Sequence, residues 1–82
     1  MSEVLLDGNH LEKGIALYKA GEYKEAIKNF RVASGQKGGS VANYYLGECY
    51  YLGRGVEKNN SQAFDYYEKS DDPRAANRRG YF

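Results

Sequence analysis

The sequence predicts an all-α protein, a short solenoid of antiparallel helix pairs: about two pairs followed by one terminal helix. Three observations predict it. The chain overlays on itself when slid by 33 residues: Gly14 falls on Gly47 and Gly47 on Gly80, Tyr18 falls on Tyr51, and Ala42 falls on Ala75. A period of that size belongs to helix-pair repeats that stack on their neighbours. Apolar residues recur at the spacings of three and four that define one face of a helix, and no stretch alternates with the period of two that a half-buried strand needs. Glycines and N-capping residues fall between the periodic stretches, where a chain of short helices has to turn.

The elements follow in order. A first helix is expected over residues 4–20, with Leu11, Ile15 and Tyr18 on one face and Gly21 as its stop. A second is expected over residues 22–34, with Tyr23, Ala26, Ile27, Phe30 and Ala33 along its apolar side. Gly35 is suited to cap its C-terminus, and the polar segment QKGGS leads to the next pair. Ser40 reads as the N-cap of a third helix over residues 41–52. GRGVEKNN is a turn, after which Asn60 or Ser61 is expected to cap a fourth helix that runs through residue 70. Ala63, Phe64, Tyr66 and Tyr67 form its apolar side. DDPRAANRRGYF places Asp72 at an N-cap and Pro73 at the first helical position, a start signal for a fifth helix. One domain over 1–82 is expected, with a first unit at 4–35, a second at 40–70 and a terminal helix at 72–82.

Gly14, Gly47 and Gly80 lie inside the expected helices, where each costs roughly 1 kcal/mol relative to alanine. A cost that recurs with the period needs a gain that recurs with it. Close approach of the paired helix supplies one, with Ala26 and Ala63 as the expected facing residues. Gly53 and Gly55 lie outside the helices and suit a turn with positive φ.

Composition narrows the function. Twelve basic residues against eleven acidic ones give a net charge of +1, which creates no general field for nucleic acid or for an anionic membrane. The single cysteine, Cys49, has no partner for an internal disulfide and fits a reducing cytosol. The opening MSEVLLDGNH has neither the basic region nor the apolar length of a signal peptide or a membrane span. Tyrosine is over-used, nine residues in 82, and its apolar body with a polar tip suits half-buried surfaces and interfaces.

Catalytic and metal chemistry find little purchase. His10 and Cys49 are far apart and no CxxC, HxxxH or HExxH spacing occurs, so no metal and no cofactor are expected. Cys49 has no neighbouring histidine to act as a base. Glu48, Asp65 and Glu68 are spaced as solvated helix faces. GRG at 53–55 follows no strand and is no phosphate-binding loop. Arg74, Arg78 and Arg79 form a basic corner, either a solvated helix end or an anchor for an acidic partner.

With these residues set out, GIALYKAGEYKEAIKNFRVAS (14–34) resembles a tetratricopeptide repeat, with Gly14, Gly21, Tyr23, Ala26, Phe30 and Ala33 at that family's small and aromatic positions and Leu17 in place of its usual tyrosine. Residues 42–69 resemble a Sel1-like repeat: Ala42, Leu46-Gly47, Tyr50, Gly53-x-Gly55-Val56, Ala63 and Tyr66-Tyr67 match its pattern. Asn59 and Tyr66 depart from the usual aspartate and tryptophan. AANRRGYF looks like the opening of a third unit, with Arg79 in place of leucine, as in a cap. The resemblance implies a short right-handed α-solenoid that is a scaffold and not an enzyme. It implies binding of another protein, as a peptide or helix, in a concave groove lined by the first helix of each pair. Carried over by position, that groove holds Leu11, Ile15, Tyr18 and Lys19, then Tyr44, Glu48, Tyr51 and Leu52, then Asn77 and Tyr81. It lacks the cluster of cationic and amide side chains that would clamp a carboxylate.

The expected function is therefore that of a small cytoplasmic adaptor or regulator, with no nucleic acid and no membrane as partner. The alternative is a cap or piece of a longer repeat scaffold, or a homo-oligomer, without binding activity of its own. Fewer than about three stacked repeats are seldom stable alone, so self-association or a partner is expected to cover an apolar end.

Overall fold

Helical propensity and turn chemistry build four helices among the described residues. The computed structural model describes residues 10–36, 39–71 and 74. In chain order the helices are α1 (His10–Lys19), α2 (Tyr23–Ser34), α3 (Gly39–Leu52) and α4 (Asn60–Lys69), and no strand occurs among the described residues. Each helix packs on the next, α1 on α2, α2 on α3 and α3 on α4, while α1 also touches α3. This is a short helical repeat stack, as the sequence predicts. The expected terminal helix over 72–82, with Asp72, Pro73 and Gly80, lies outside the described residues except for Arg74, which is helical.

The turns explain where the helices stop. After α1, Gly21 takes φ +86°. Its N–H donates to Tyr18 O, and that of Glu22 donates to Leu17 O at 2.8 Å. This pair of bonds closes a helix end through one left-handed residue. The end of α3 repeats it: Gly53 takes φ +71°, and Arg54 N–H reaches back five residues to Cys49 O at 2.8 Å. Here the chain then makes a second left-handed step at Gly55, φ +77°. Asn59 N–H donates to Tyr50 O at 2.9 Å, which folds the turn back across the last turns of α3.

Three local expectations are corrected. The cap of α4 is Asn59, not Asn60 or Ser61: its backbone is extended and its side-chain oxygen accepts from Gln62 N–H at 3.1 Å. Ser40 is not the cap of α3, because the helix already includes Gly39. Instead its hydroxyl donates to Asp71 and its carbonyl accepts from the Ser70 hydroxyl, tying the start of α3 to the end of α4. The third correction concerns the helix-interior glycines. Phe30, not Ala26, lies in the notch at Gly14: a β-carbon there would stand 2.7 Å from its ring. At Gly47 the Tyr67 ring takes that place at 2.5 Å, with Ala63 contributing its carbonyl oxygen at 3.2 Å.

The larger core lies between the pairs. Ala26, Ile27, Phe30 and Ala33 of α2 meet Ala42, Leu46 and Cys49 of α3, and Leu11, Ile15, Leu17 and Tyr18 of α1 pack against them. A second cluster is built on Ala63 and Tyr67 of α4, with Tyr44, Tyr50, Tyr51 and Phe64 around it. Most of the stabilisation of such a stack comes from burial between neighbouring helices, since helices of ten to fourteen residues are marginal in isolation.

Candidate protein-binding face

The first helix of each pair carries the residues the sequence nominates. On α1, Leu11, Ile15 and Tyr18 are half-buried against the larger core, and Lys19 is exposed at the helix end. On α3, Tyr44 and Tyr51 are half-buried in the second cluster. Leu52 is 45% exposed, a large apolar side chain facing water. Glu48 is only 4% exposed, and its carboxylate accepts a hydrogen bond from the Tyr67 hydroxyl at 3.1 Å. Its polar end is thus engaged within the α3–α4 pair and not on the solvated helix face expected from its spacing, because the Tyr67 hydroxyl gives the buried carboxylate a donor. Asn77 and Tyr81 lie outside the described residues.

The two halves of this row are joined by Tyr45, which the sequence reading did not nominate. Its ring stacks on Phe30 at 5.0 Å and 6°, and meets Tyr18 edge-on at 5.2 Å and Tyr44 at 5.3 Å. Tyr44 continues to Tyr67 at 6.2 Å, and Tyr67 to Tyr51 at 6.3 Å. Aromatic contacts therefore run unbroken from α1 through α2 and α3 to α4. Offset and edge-on arrangements of this kind are each favourable by about 0.5–1.5 kcal/mol beyond area burial. The overlay by 33 residues pairs Tyr45 with Glu12, so the period offered no signal for it.

Arg54 is the other residue that sequence reasoning missed. It occupies the open position of the GxG turn, where the residue type is unspecified. Its guanidinium donates to the Tyr18 hydroxyl at 2.9 Å and lies over the rings of Tyr18 and Tyr23, 5.6 and 5.3 Å from their centroids. Burial pushes the Tyr18 hydroxyl pKa up, and the hydrogen bond from Arg54 opposes that rise. Gly55 beside it lies so close to α2 that a β-carbon would stand 2.9 Å from the backbone of Tyr23. The turn of the second pair is thereby seated on the first pair. Arg74 lies over Tyr44 at 4.3 Å and Tyr45 at 5.5 Å.

The arrangement offers contact area. Burial pushes the Cys49 thiol up to about 12, so it is protonated at neutral pH and behaves as a small core side chain. Among the described residues no group of three or more His, Cys, Asp or Glu stands close enough to hold a metal ion, and no helix is long and apolar enough to cross a membrane.

Residues 40–70 match the family model of the Sel1 repeat. No curated protein and no solved structure matches the chain.

Proposed function

From the premise that this chain carries a Sel1 repeat at residues 40–70, we propose that it is a small adaptor or regulator that binds a partner protein through the face shared by α1 and α3. Sel1 repeats generally mediate protein–protein interaction and are not themselves enzymes. The observation that carries the finer reading is the row Leu11, Ile15, Tyr18, Tyr45. These side chains are half-buried, fixed by the core beneath them, and keep part of their apolar surface in water. Rings already held in place lose little freedom on binding, which is why tyrosine is effective at interfaces. Exposed Leu52 and Lys19 flank the row. The occupant this suits is an amphipathic helix or an extended apolar peptide. A reducing cytosol is the proposed compartment, on the strength of one buried, unpaired Cys49.

The test begins with the protein that copurifies from the native host, whose affinity for purified variants is then measured. Leu52→Ser combined with Lys19→Glu changes two exposed side chains and is expected to weaken binding by about tenfold or more. Val32→Ser, at an equally exposed apolar position on α2, is the control and leaves the affinity unchanged. A double variant that binds as tightly as the parent removes this face from the interaction.

A further inference from the structure

A second surface lies on the other side of the stack, where most of the cations are not paired with the carboxylates near them. No Cα atom of α2 lies within 8 Å of one of α4 among the described residues; the strip of surface between the two helices is the trough. Tyr50 of α3 and Tyr66 of α4 form its floor, both half-buried and stacked at 5.7 Å and 15°. Arg31 of α2 reaches in and donates from its guanidinium to the Tyr50 hydroxyl at 3.0 Å. Lys69 of α4 closes the far end, its ammonium 5.2 Å from the centroid of Tyr66. Lys24 and Lys28 stand seven and three residues before Arg31 and extend the same stripe of α2.

These cations are poorly neutralised. Lys28 pairs with Glu25 at 3.3 Å, both side chains more than half exposed, a pair of little energetic weight. Lys24, Arg31 and Lys69 form no ion pair among the described residues. Asp65 stands one helical turn before Lys69, yet the ammonium sits over the Tyr66 ring and not on that carboxylate. In a chain whose charges balance overall, a local surplus in which Arg31 rests on a tyrosine hydroxyl and Lys69 on a tyrosine ring is positioned for something outside the chain.

We propose that this trough docks an acidic segment of a partner protein. The Tyr50 oxygen already accepts from Arg31, so its own proton is directed away, toward an incoming acceptor. A carboxylate arriving there receives two donors at once, one of them charged. The free N–H groups of Lys69 and Lys24 receive further carboxylates along the same segment, and the tyrosine floor accepts the methylenes of glutamate side chains. A peptide matches the scale of this patch. A nucleic acid would bring a long uniform charge that a net charge of +1 does not complement. The surface is separate from the α1–α3 face and stands whether or not that face binds.

The experiment uses the full chain and a fluorescein-labelled decapeptide of alternating glutamate and glycine, with a ten-nucleotide oligothymidylate as the competing anion. At low ionic strength the peptide is expected to bind with a dissociation constant on the order of 100 µM and to weaken steeply as salt is added. Amide chemical shifts are expected to move on α2 and α4, around Arg31 and Lys69, and not on α1. Arg31→Glu with Lys69→Glu should weaken binding by about tenfold or more, whereas Lys13→Glu, exposed on α1, should leave it unchanged. Tyr50→Phe keeps the ring stack and loses the donor, with a loss of about threefold. Should the double reversal disturb the circular dichroism, Lys24→Glu, at an exposed position, replaces it and is expected to weaken binding measurably. No saturable binding at millimolar peptide, equal or tighter binding of the oligothymidylate, shifts confined to α1 and α3, or charge reversals without effect in folded variants would each overturn the proposal.

Discussion

Gly47 and Gly35 are both glycines at helical positions or their ends, yet an added methyl group meets opposite surroundings at the two. At Gly47 it would stand 2.5 Å from the ring of Tyr67, which is fully buried. At Gly35 the nearest atom is 3.8 Å away and φ is −94°. Alanine gains roughly 1 kcal/mol in helix propensity, while forcing a buried ring aside costs about 1–3 kcal/mol or more. Gly47→Ala and Gly14→Ala are therefore expected to lower stability, by about 1–2 kcal/mol net, and Gly35→Ala to leave it level or raise it slightly; urea midpoints decide. Cys49 offers a second prediction. Its folded pKa is raised from 9.0 to about 12 by burial, so the folded state holds a proton that the unfolded chain releases earlier. That contribution is complete below pH 9 and is lost between about pH 9 and 12; the raised pKa of Tyr18 acts in the same direction above pH 10. Native protein at pH 8 is expected to resist iodoacetamide, and Cys49→Ala to flatten the stability profile over that alkaline window. The sequence reveals that these glycines are notches, because their cost recurs with the period. It misidentifies what enters them, for a physical reason. From glycine to ring is 16 residues in the first pair (30 − 14) and 20 in the second (67 − 47). The four extra residues belong to the turn, so a slide of 33 lays Phe30 on Ala63 and hides its equivalence to Tyr67.

At the scale of elements, the helix ends are set by backbone groups more than by side chains. Gly21 and Gly55 both hold φ above +70°, and both lose roughly 1 kcal/mol when a side chain is placed in that region. They differ in space: nothing lies within 4 Å of a β-carbon at Gly21, whereas at Gly55 it would strike the backbone and side chain of Tyr23 and the tip of Ile27. Gly21→Ala is expected to cost about 1 kcal/mol and Gly55→Ala about 3 kcal/mol, since the second also lifts the turn off α2. Thermal or urea unfolding of the two variants side by side measures the difference, and equal losses would show that the turn is not seated on α2. The second and third helices are readable to within two residues because glycines bracket them. The start of α4 is not, because Asn59, Asn60 and Ser61 are all able to cap. The choice falls on Asn59 through a bond outside the helix, its N–H to Tyr50 O, and no local pattern encodes that.

At the scale of the whole molecule, the described residues form two helix pairs whose cohesion depends on what crosses between them. Phe30 stacked on Tyr45 supplies the buried part of that junction, and Arg54 supplies a half-buried part from the turn, bonded to the Tyr18 hydroxyl and laid over two rings. In a stack where each unit touches only its neighbours, the junction sets whether the pairs unfold together or separately. The contribution of Arg54 combines a charge-assisted hydrogen bond with cation–π contacts, about 1–2 kcal/mol in sum at a partly solvated site. Arg54→Ala is accordingly expected to lower stability by that order, and to loosen α1 and α2 more than α4. Native-state hydrogen exchange reads this directly: protection of Leu17 and Tyr18 amides should fall further than that of Tyr66 and Tyr67. A cycle with Tyr18→Phe isolates the hydrogen bond, because the ring and its cation–π contact remain while the hydroxyl is gone. A coupling of about 1 kcal/mol is expected between the two changes. Additive losses, or protection lost evenly along the chain, would mean that the turn of the second pair lies against the first without holding it, and that aromatic stacking alone joins the units.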